Sequence, residues 1–227
     1  MEIISLKSED HPVTEQSAAE LKITDIKQAV KNPNRANVFV NNEYSFSLDI
    51  AQLVDEKLKI GTVLTAEKLN ELKDKSEYGK LYQRTLEWVL TRPHSIKETK
   101  DYLFKKEVRS ERDISRFRDE ILERLISKGH LDDRRFAEYY VENRFVSKGI
   151  SKKRMRMELM KKGIKSEIID EVLNSSARND EAEIKKIIAK KRNKYDDEKL
   201  INYLVRQGFG FELARTLVQD PDSCGMD

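Results

Sequence analysis

The 227-residue sequence has one cysteine, Cys224, so it forms no internal disulfide. Its three histidines, His11, His94 and His130, are scattered, and no Cys/His spacing fits a zinc site. Eight glycines and four prolines are too few for a turn-rich β-sandwich. No apolar run is long enough to span a bilayer, and the N-terminus lacks a signal-peptide pattern, so a reducing cytoplasm is the expected location. No GxxxxGK[ST] loop occurs; Phe209-Gly210-Phe211 is Gly-containing but holds no phosphate-binding pattern. No Ser/His/Asp or Cys/His set is present, and Cys224 in a short polar tail makes a poor nucleophile. These absences argue against an enzyme and leave no cofactor or metal to expect.

Charge is what the chain has in plenty: 37% of residues are charged against 38% hydrophobic, with a formal net charge of +3. That balance suits helices with narrow apolar stripes and long solvated faces. The net value hides an asymmetry. Residues 1–80 carry 11 Lys/Arg and 14 Asp/Glu, whereas residues 128–165 alone carry 12 and 5. The positive charge is therefore local, which points to an anionic partner for the middle of the chain.

Residues 1–20 are polar without periodicity and read as a flexible leader; residues 221–227 read as a flexible tail. Residues 21–76 carry the signals of a small α+β module. Ile23, Ile26 and Val30 suggest one strand. Asn37–Val40 and Tyr44–Leu48 flank Asn41-Asn42-Glu43, a hairpin turn because asparagine tolerates positive φ. Short helices are expected near Ile50–Leu58 and Thr65–Leu72, the second capped by Thr65.

From about residue 80 the pattern turns helical. Tyr82, Leu86, Val89 and Leu90 form a stripe that Arg92-Pro93 ends. Ser95-Ile96-Lys97-Glu98 has the form of a capping box. The candidate caps Ser95, Ser151 and Asp196 each precede a leucine by eight residues, namely Leu103, Leu159 and Leu204. Each leucine leads into a tetrad: Phe104-Lys105-Lys106-Glu107, Met160-Lys161-Lys162-Gly163 and Val205-Arg206-Gln207-Gly208. An unequal period of roughly fifty residues in this register predicts three tandem three-helix repeats, 77–130, 131–175 and 176–220. The expected fold is mainly α, nine helices broken near Pro93, Gly149 and Tyr195, in an elongated, curved molecule.

The sequence at this point resembles the RecX family of bacterial regulators of the RecA recombinase. The resemblance rests on Arg92-Pro93-His94-Ser95, on Gly129-His130-Leu131-Asp132-Asp133-Arg134-Arg135-Phe136-Ala137, on Lys148-Gly149-Ile150-Ser151 through Leu159–Ile164, and on Gln207-Gly208-Phe209. It covers residues 80–220. Glu107 departs from the pattern, standing where the other repeats have Gly163 and Gly208. The resemblance implies a protein that binds along the groove of a RecA–DNA filament and limits its growth or promotes its disassembly. It would thereby lower ATPase, strand-exchange and SOS co-protease activity. A plain helical DNA-binding protein that acts without RecA is the competing reading, since three-helix units resemble helix-turn-helix geometry.

The expected contact residues are Arg134, Arg135, Tyr139, Arg144, Lys148, Lys152, Lys153, Arg154, Arg156, Lys161 and Lys162, meeting a RecA filament and, more weakly, single- and double-stranded DNA. The plainer reading is a solvated face, but few acids interrupt the run. Tyr140 and Phe145 fall on the apolar stripe and read as core, while Tyr139 and Arg144 point outward. Asp132-Asp133 precedes a helix; capping it is a cheaper account than holding a metal. A monomer without membrane contact is expected.

Overall fold

The computed structural model describes residues 20–30, 32–107, 113–146 and 148–219. The expected leader, the tail with Cys224, and most of the segment 107–113 lie outside the described residues. The chain divides into two compact units, Met1–Gly79 and Lys80–Asp227.

In the first unit, β1 (Leu21–Ala29), β2 (Asn32–Val40), β3 (Glu43–Asp49) and β4 (Val63–Leu64) form one antiparallel sheet in the order β3-β2-β1-β4. The hairpin turn lies at Asn41-Asn42, both left-handed at φ 51° and 67°, as a two-residue turn between twisted strands requires. Ile23 and Ile26 are three apart, an odd spacing for one face of a strand. A register shift between Ile23 and Asp25 turns both toward the core. Val30 is fully exposed beyond the strand end. Ala36, Val38 and Val40 alternate inward, and Val38 and Val40 pack with Phe46 and Leu48. The two-residue strand β4 was not legible as a strand.

Helix α1 (Ile50–Asp55) follows β3, and α2 (Ala66–Val89) follows β4. Thr65 Oγ accepts from the Lys68 amide at 3.1 Å and so caps α2. The short helix expected at 65–72 and the stripe from Tyr82 are one continuous 24-residue helix. No helix breaker lies between them except Gly79, and a Cβ there would meet the Arg35 guanidinium at 3.1 Å. Arg35 is itself buried and donates to the Ser47 carbonyl at 2.6 Å and to Asp49 at 3.1 Å.

The remaining helices are α3 (Ile96–Glu107), α4 (Phe117–Ser127), α5 (Asp133–Asn143), α6 (Lys152–Lys161), α7 (Ser166–Ser175), α8 (Asp180–Lys191), α9 (Asp197–Arg206) and α10 (Phe211–Gln219). Among the described residues, none is long and apolar enough to cross a membrane. We propose that the repeats keep the bounds 77–130, 131–175 and 176–220, the first starting within α2. Separate cores form around Phe136, Met155, Leu159 and Ile169, and around Ile184, Leu200, Leu204 and Phe209.

What ties the repeats together is the same joint made twice. Ser95 Oγ accepts from the Glu98 amide at 3.0 Å and donates to the Lys162 carbonyl, the C-cap of α6, at 2.8 Å. Ser151 Oγ accepts from the Arg154 amide at 3.2 Å and donates to the Gln207 carbonyl, the C-cap of α9, at 2.7 Å. A hydroxyl both accepts and donates, so one side chain caps its own helix and satisfies an orphan carbonyl of another. Gly163 and Gly208 hold the left-handed conformation that turns the chain away at each joint. A Cβ on Gly208 would lie 2.8 Å from Ser151 Oγ, and one on Gly163 would lie 2.8 Å from Lys97 Cβ.

A carboxylate completes each joint. Asp133 Oδ1 accepts from the Ile96 amide at 2.9 Å, and Asp180 Oδ1 accepts from the Lys152 amide at 2.8 Å. The Glu98 side chain does not close the capping box; it binds Lys162 Nζ at 2.7 Å, and Arg92 and His94 at 3.2 Å each. Arg154, its equivalent one repeat later, donates to the side-chain oxygen of Gln207, so donor and acceptor are exchanged.

Arg178 adds a lock between the middle and third repeats. Its guanidinium donates to the Val141 and Arg144 carbonyls at 2.8 and 2.6 Å and grips the buried carboxylate of Glu183 at 2.8 and 3.0 Å. Those carbonyls belong to the end of α5. The helix stops at Asn143, short of the expected Lys148-Gly149, and Phe145 turns left-handed at φ 48°.

The joint geometry sets an expected outcome. Ser95→Ala and Ser151→Ala each remove a cap and orphan a carbonyl, and each should cost about 1–2 kcal/mol in urea unfolding. Ser127→Ala, on an exposed hydroxyl that makes only a local bond, should cost less than about 0.5 kcal/mol. Equal costs at all three positions would count against the joint.

Candidate interaction surface

The basic cluster is built on α5 and α6. Helix α5 starts because Asp132 caps it, accepting from the Arg134 and Arg135 amides at 2.8 and 3.2 Å. Asp133 caps a different helix, α3, as described above. Burial, only partly offset by the Ile96 amide, raises its pKa above the usual carboxylate value. The paired carboxylates are thus spent on two helix N-termini. Among the described residues, no cluster of three or more His, Cys, Asp or Glu side chains is placed to hold a metal.

The eleven expected contact residues divide into two groups. Arg135, Lys153 and Lys161 are exposed, and their side chains have no ionic or hydrogen-bond partner among the described residues. Lys148 is also exposed, its Nζ 5.9 Å from the centre of the Phe145 ring. Tyr139 is half-buried and lines a recess of about 330 Å3 with Arg92, Asn143 and Arg144.

The other six are engaged within the chain. Arg144 Nε binds Glu158 at 2.7 Å while its guanidinium stacks 3.7 Å over Phe145. It therefore does not point freely outward. Arg154 binds the same carboxylate at 3.3 Å. Arg156 pairs with Asp170, Arg134 with Glu171, and Lys162 with Glu98. Lys152 Nζ donates to the Leu173 carbonyl at 3.1 Å. These acceptors lie on α3 and α7 or one turn along α6, so the scarcity of acids within the basic run does not leave the run unpaired. Exposed pairs of this kind contribute little and open readily for a competing anion.

Tyr140 and Phe145 pack against the middle core from its edge. Tyr140 Oη donates to Glu158 at 2.5 Å; burial first, and then that carboxylate, push the phenol pKa up to about 12. Further free cations appear in the same register as Lys161: Lys105 in the first repeat and Arg206 in the third, both exposed and without a partner among the described residues. The aligned tetrads in the sequence carried that signal, and the run of charge in the middle repeat masked it.

Comparison with known proteins places this architecture. A family model described as the second three-helix domain of RecX matches residues 132–173, the span of α5, α6 and most of α7. One described as the N-terminal domain of the regulatory protein RecX matches residues 21–65. The regulatory protein RecX of Listeria monocytogenes serotype 4b is 31% identical over 214 residues, which cover 89% of this chain and 77% of that protein. The chain belongs to the RecX family. Another relative, the regulatory protein RecX of Bacillus licheniformis, is 31% identical over 208 residues, covering 88% and 77% of the two chains. A crystal structure of a regulatory protein RecX shares the fold at a TM-score of 0.64 and 22% identity, over 85% of this chain and 96% of that one. RecX from Lactobacillus salivarius aligns at 0.52 and 21% identity, over 64% and 97%. The family is one of regulatory proteins, not of enzymes.

Three carboxylates that join elements of the helical unit share one electrostatic character. Burial opposes the ionisation of Glu98, Glu158 and Glu183, yet their cationic and hydrogen-bonding partners outweigh it, and each pKa lies below the ordinary 4.5. The stability they contribute is therefore complete above about pH 4.5 and is lost as the pH falls through their lower folded values. Their share of the urea-unfolding stability should be flat from pH 7 to about pH 5 and then decline, beneath a separate fall that begins near pH 6.5 because burial lowers the pKa of His94. Glu183→Gln, which strips Arg178 of its counter-charge, should lose about 3 kcal/mol at pH 7 and show a shallower acid limb. An acid limb identical to the parent's would place the titration elsewhere.

Proposed function

We propose that this chain regulates RecA, mainly as an inhibitor, by binding the RecA–DNA filament and limiting its growth or promoting its disassembly. Family membership supports the regulatory role. The observation that carries the contact is the set of exposed cations on the middle repeat that have no partner among the described residues, Arg135, Lys153 and Lys161, with Lys148 beside them. Around them stand Arg134, Arg144, Lys152, Arg154, Arg156 and Lys162, whose internal partners an anionic surface can replace, and Tyr139 in its recess. Lower ATPase, strand-exchange and SOS co-protease activity follow from shorter filaments. In this reading the chain acts as a monomer in the cytoplasm.

The full chain should inhibit the single-stranded-DNA-dependent ATPase of RecA at concentrations well below those that coat the same DNA without RecA. Arg135→Ala/Lys153→Ala/Lys161→Ala should keep the fold, since none of the three is paired, and should weaken inhibition by at least about tenfold. Its log-affinity for naked single strands should depend less steeply on log salt, by about 0.7 for each phosphate no longer neutralised. Inhibition only at DNA-coating concentrations would favour a protein that acts on DNA directly.

A further inference from the structure

The two repeat joints put more on the surface than positive charge. Phe104, Met160 and Val205 occupy the same register at the ends of α3, α6 and α9, and they are 53%, 52% and 40% exposed. Each is followed by an exposed cation, Lys105, Lys161 and Arg206, none of which has a partner among the described residues. Exposed apolar side chains are ordinary when single. Here one recurs in every repeat, beside a free cation.

The joints bring a second cation to two of these three stations. At the α3/α6 joint, Lys97 Nζ donates to the Lys161 carbonyl at 3.0 Å, which places an exposed ammonium next to Met160-Lys161. At the α6/α9 joint, the cations Lys153, Arg154, Lys161 and Arg206, the acid Glu158, and Met157 and Val205 line an open groove of about 430 Å3. Met157 is 51% exposed there. The glycines contribute directly. Without a Cβ, Gly163 lies against Lys97 and Gly208 against Ser151 and Lys153.

We propose that the α6/α9 joint is a docking cleft for an acidic protein segment with an apolar anchor, presented by the protein partner. The proposal rests on the filament-binding reading above and names the surface that would read the protein part of the nucleoprotein. Charge complementarity sets the sign of the occupant, since the groove gathers Lys153, Arg154, Lys161 and Arg206 around one acid, Glu158, which Arg144 and Arg154 already engage. The apolar residue decides its class. A phosphate backbone is bound by the cations alone and gains nothing from Met157 or Val205, whereas an acidic protein segment uses both charge and apolar contact.

The test separates the apolar contribution from charge. Met157→Ser and Val205→Ser, singly and together in the full chain, leave every cation in place and alter only exposed side chains; circular dichroism checks the fold. Binding would be measured to RecA filaments assembled on single-stranded DNA and, in parallel, to the naked oligonucleotide. Each single variant should bind filaments about tenfold more weakly, the pair weaker still, with oligonucleotide affinity unchanged. The proposal is overturned if the pair binds filaments like the parent. A parallel fall in oligonucleotide affinity overturns it too, because the cleft then takes nucleic acid. Should the parent itself fail to bind filaments, the regulatory reading falls first and takes this proposal with it.

Discussion

The helical unit depends on one bond type: a serine hydroxyl placed between the N-terminus of one helix and the C-terminus of another. Helix ends carry unsatisfied amides and carbonyls with opposite partial charges, so bringing the two ends together lets each answer the other. The serine completes the exchange, accepting from an amide of its own helix and donating to the facing carbonyl. It works only if the facing chain turns away at once, which explains the left-handed glycines, and only if the first amide of the receiving helix finds its own acceptor, which Asp133 and Asp180 supply. Three small or short side chains thus fix how α3, α6 and α9 meet.

The same economy governs the charges. The chain holds 44 Lys/Arg and 41 Asp/Glu, and within the helical unit much of this charge cancels between elements. Glu158 alone engages Tyr140, Arg144 and Arg154. Arg178 and Glu183 neutralise one another where two repeats meet. Among the exposed cations without a partner in the described residues, Lys105, Lys161 and Arg206 stand at recurring positions, which is how a surface carries a pattern and not merely a potential.

Much of this was legible in the sequence because it is local. A cap and its glycine stop lie within one helix, so Ser95, Ser151 and Asp196 identified themselves by spacing, as did the Asn41-Asn42 turn. The second role of each serine was not legible. Its partner lies 67 or 56 residues away, and nothing in the local pattern distinguishes a hydroxyl that also donates. For the same reason Asp133 read as a cap for its own helix, and Glu98 as the closing half of a box. The surface suffered most. Arg144, Arg156 and Lys162 look free along the chain because Glu158, Asp170 and Glu98 reach them only once the helices pack. Helix α2 was split in two because its middle lacks an apolar stripe, and propensity carries it across the gap.

Asp196 occupies the position of Ser95 and Ser151 and performs half of their task. Its carboxylate accepts from the Lys199 amide at 2.9 Å, and that lysine's ammonium, at 2.7 Å, keeps it ionised. An ionised carboxylate has no hydrogen to give, and it repels a carbonyl oxygen brought against it. Serine and aspartate are therefore near synonyms as caps and opposites as couplings. In this chain the hydroxyl reads as a comma between helices and the carboxylate as a full stop.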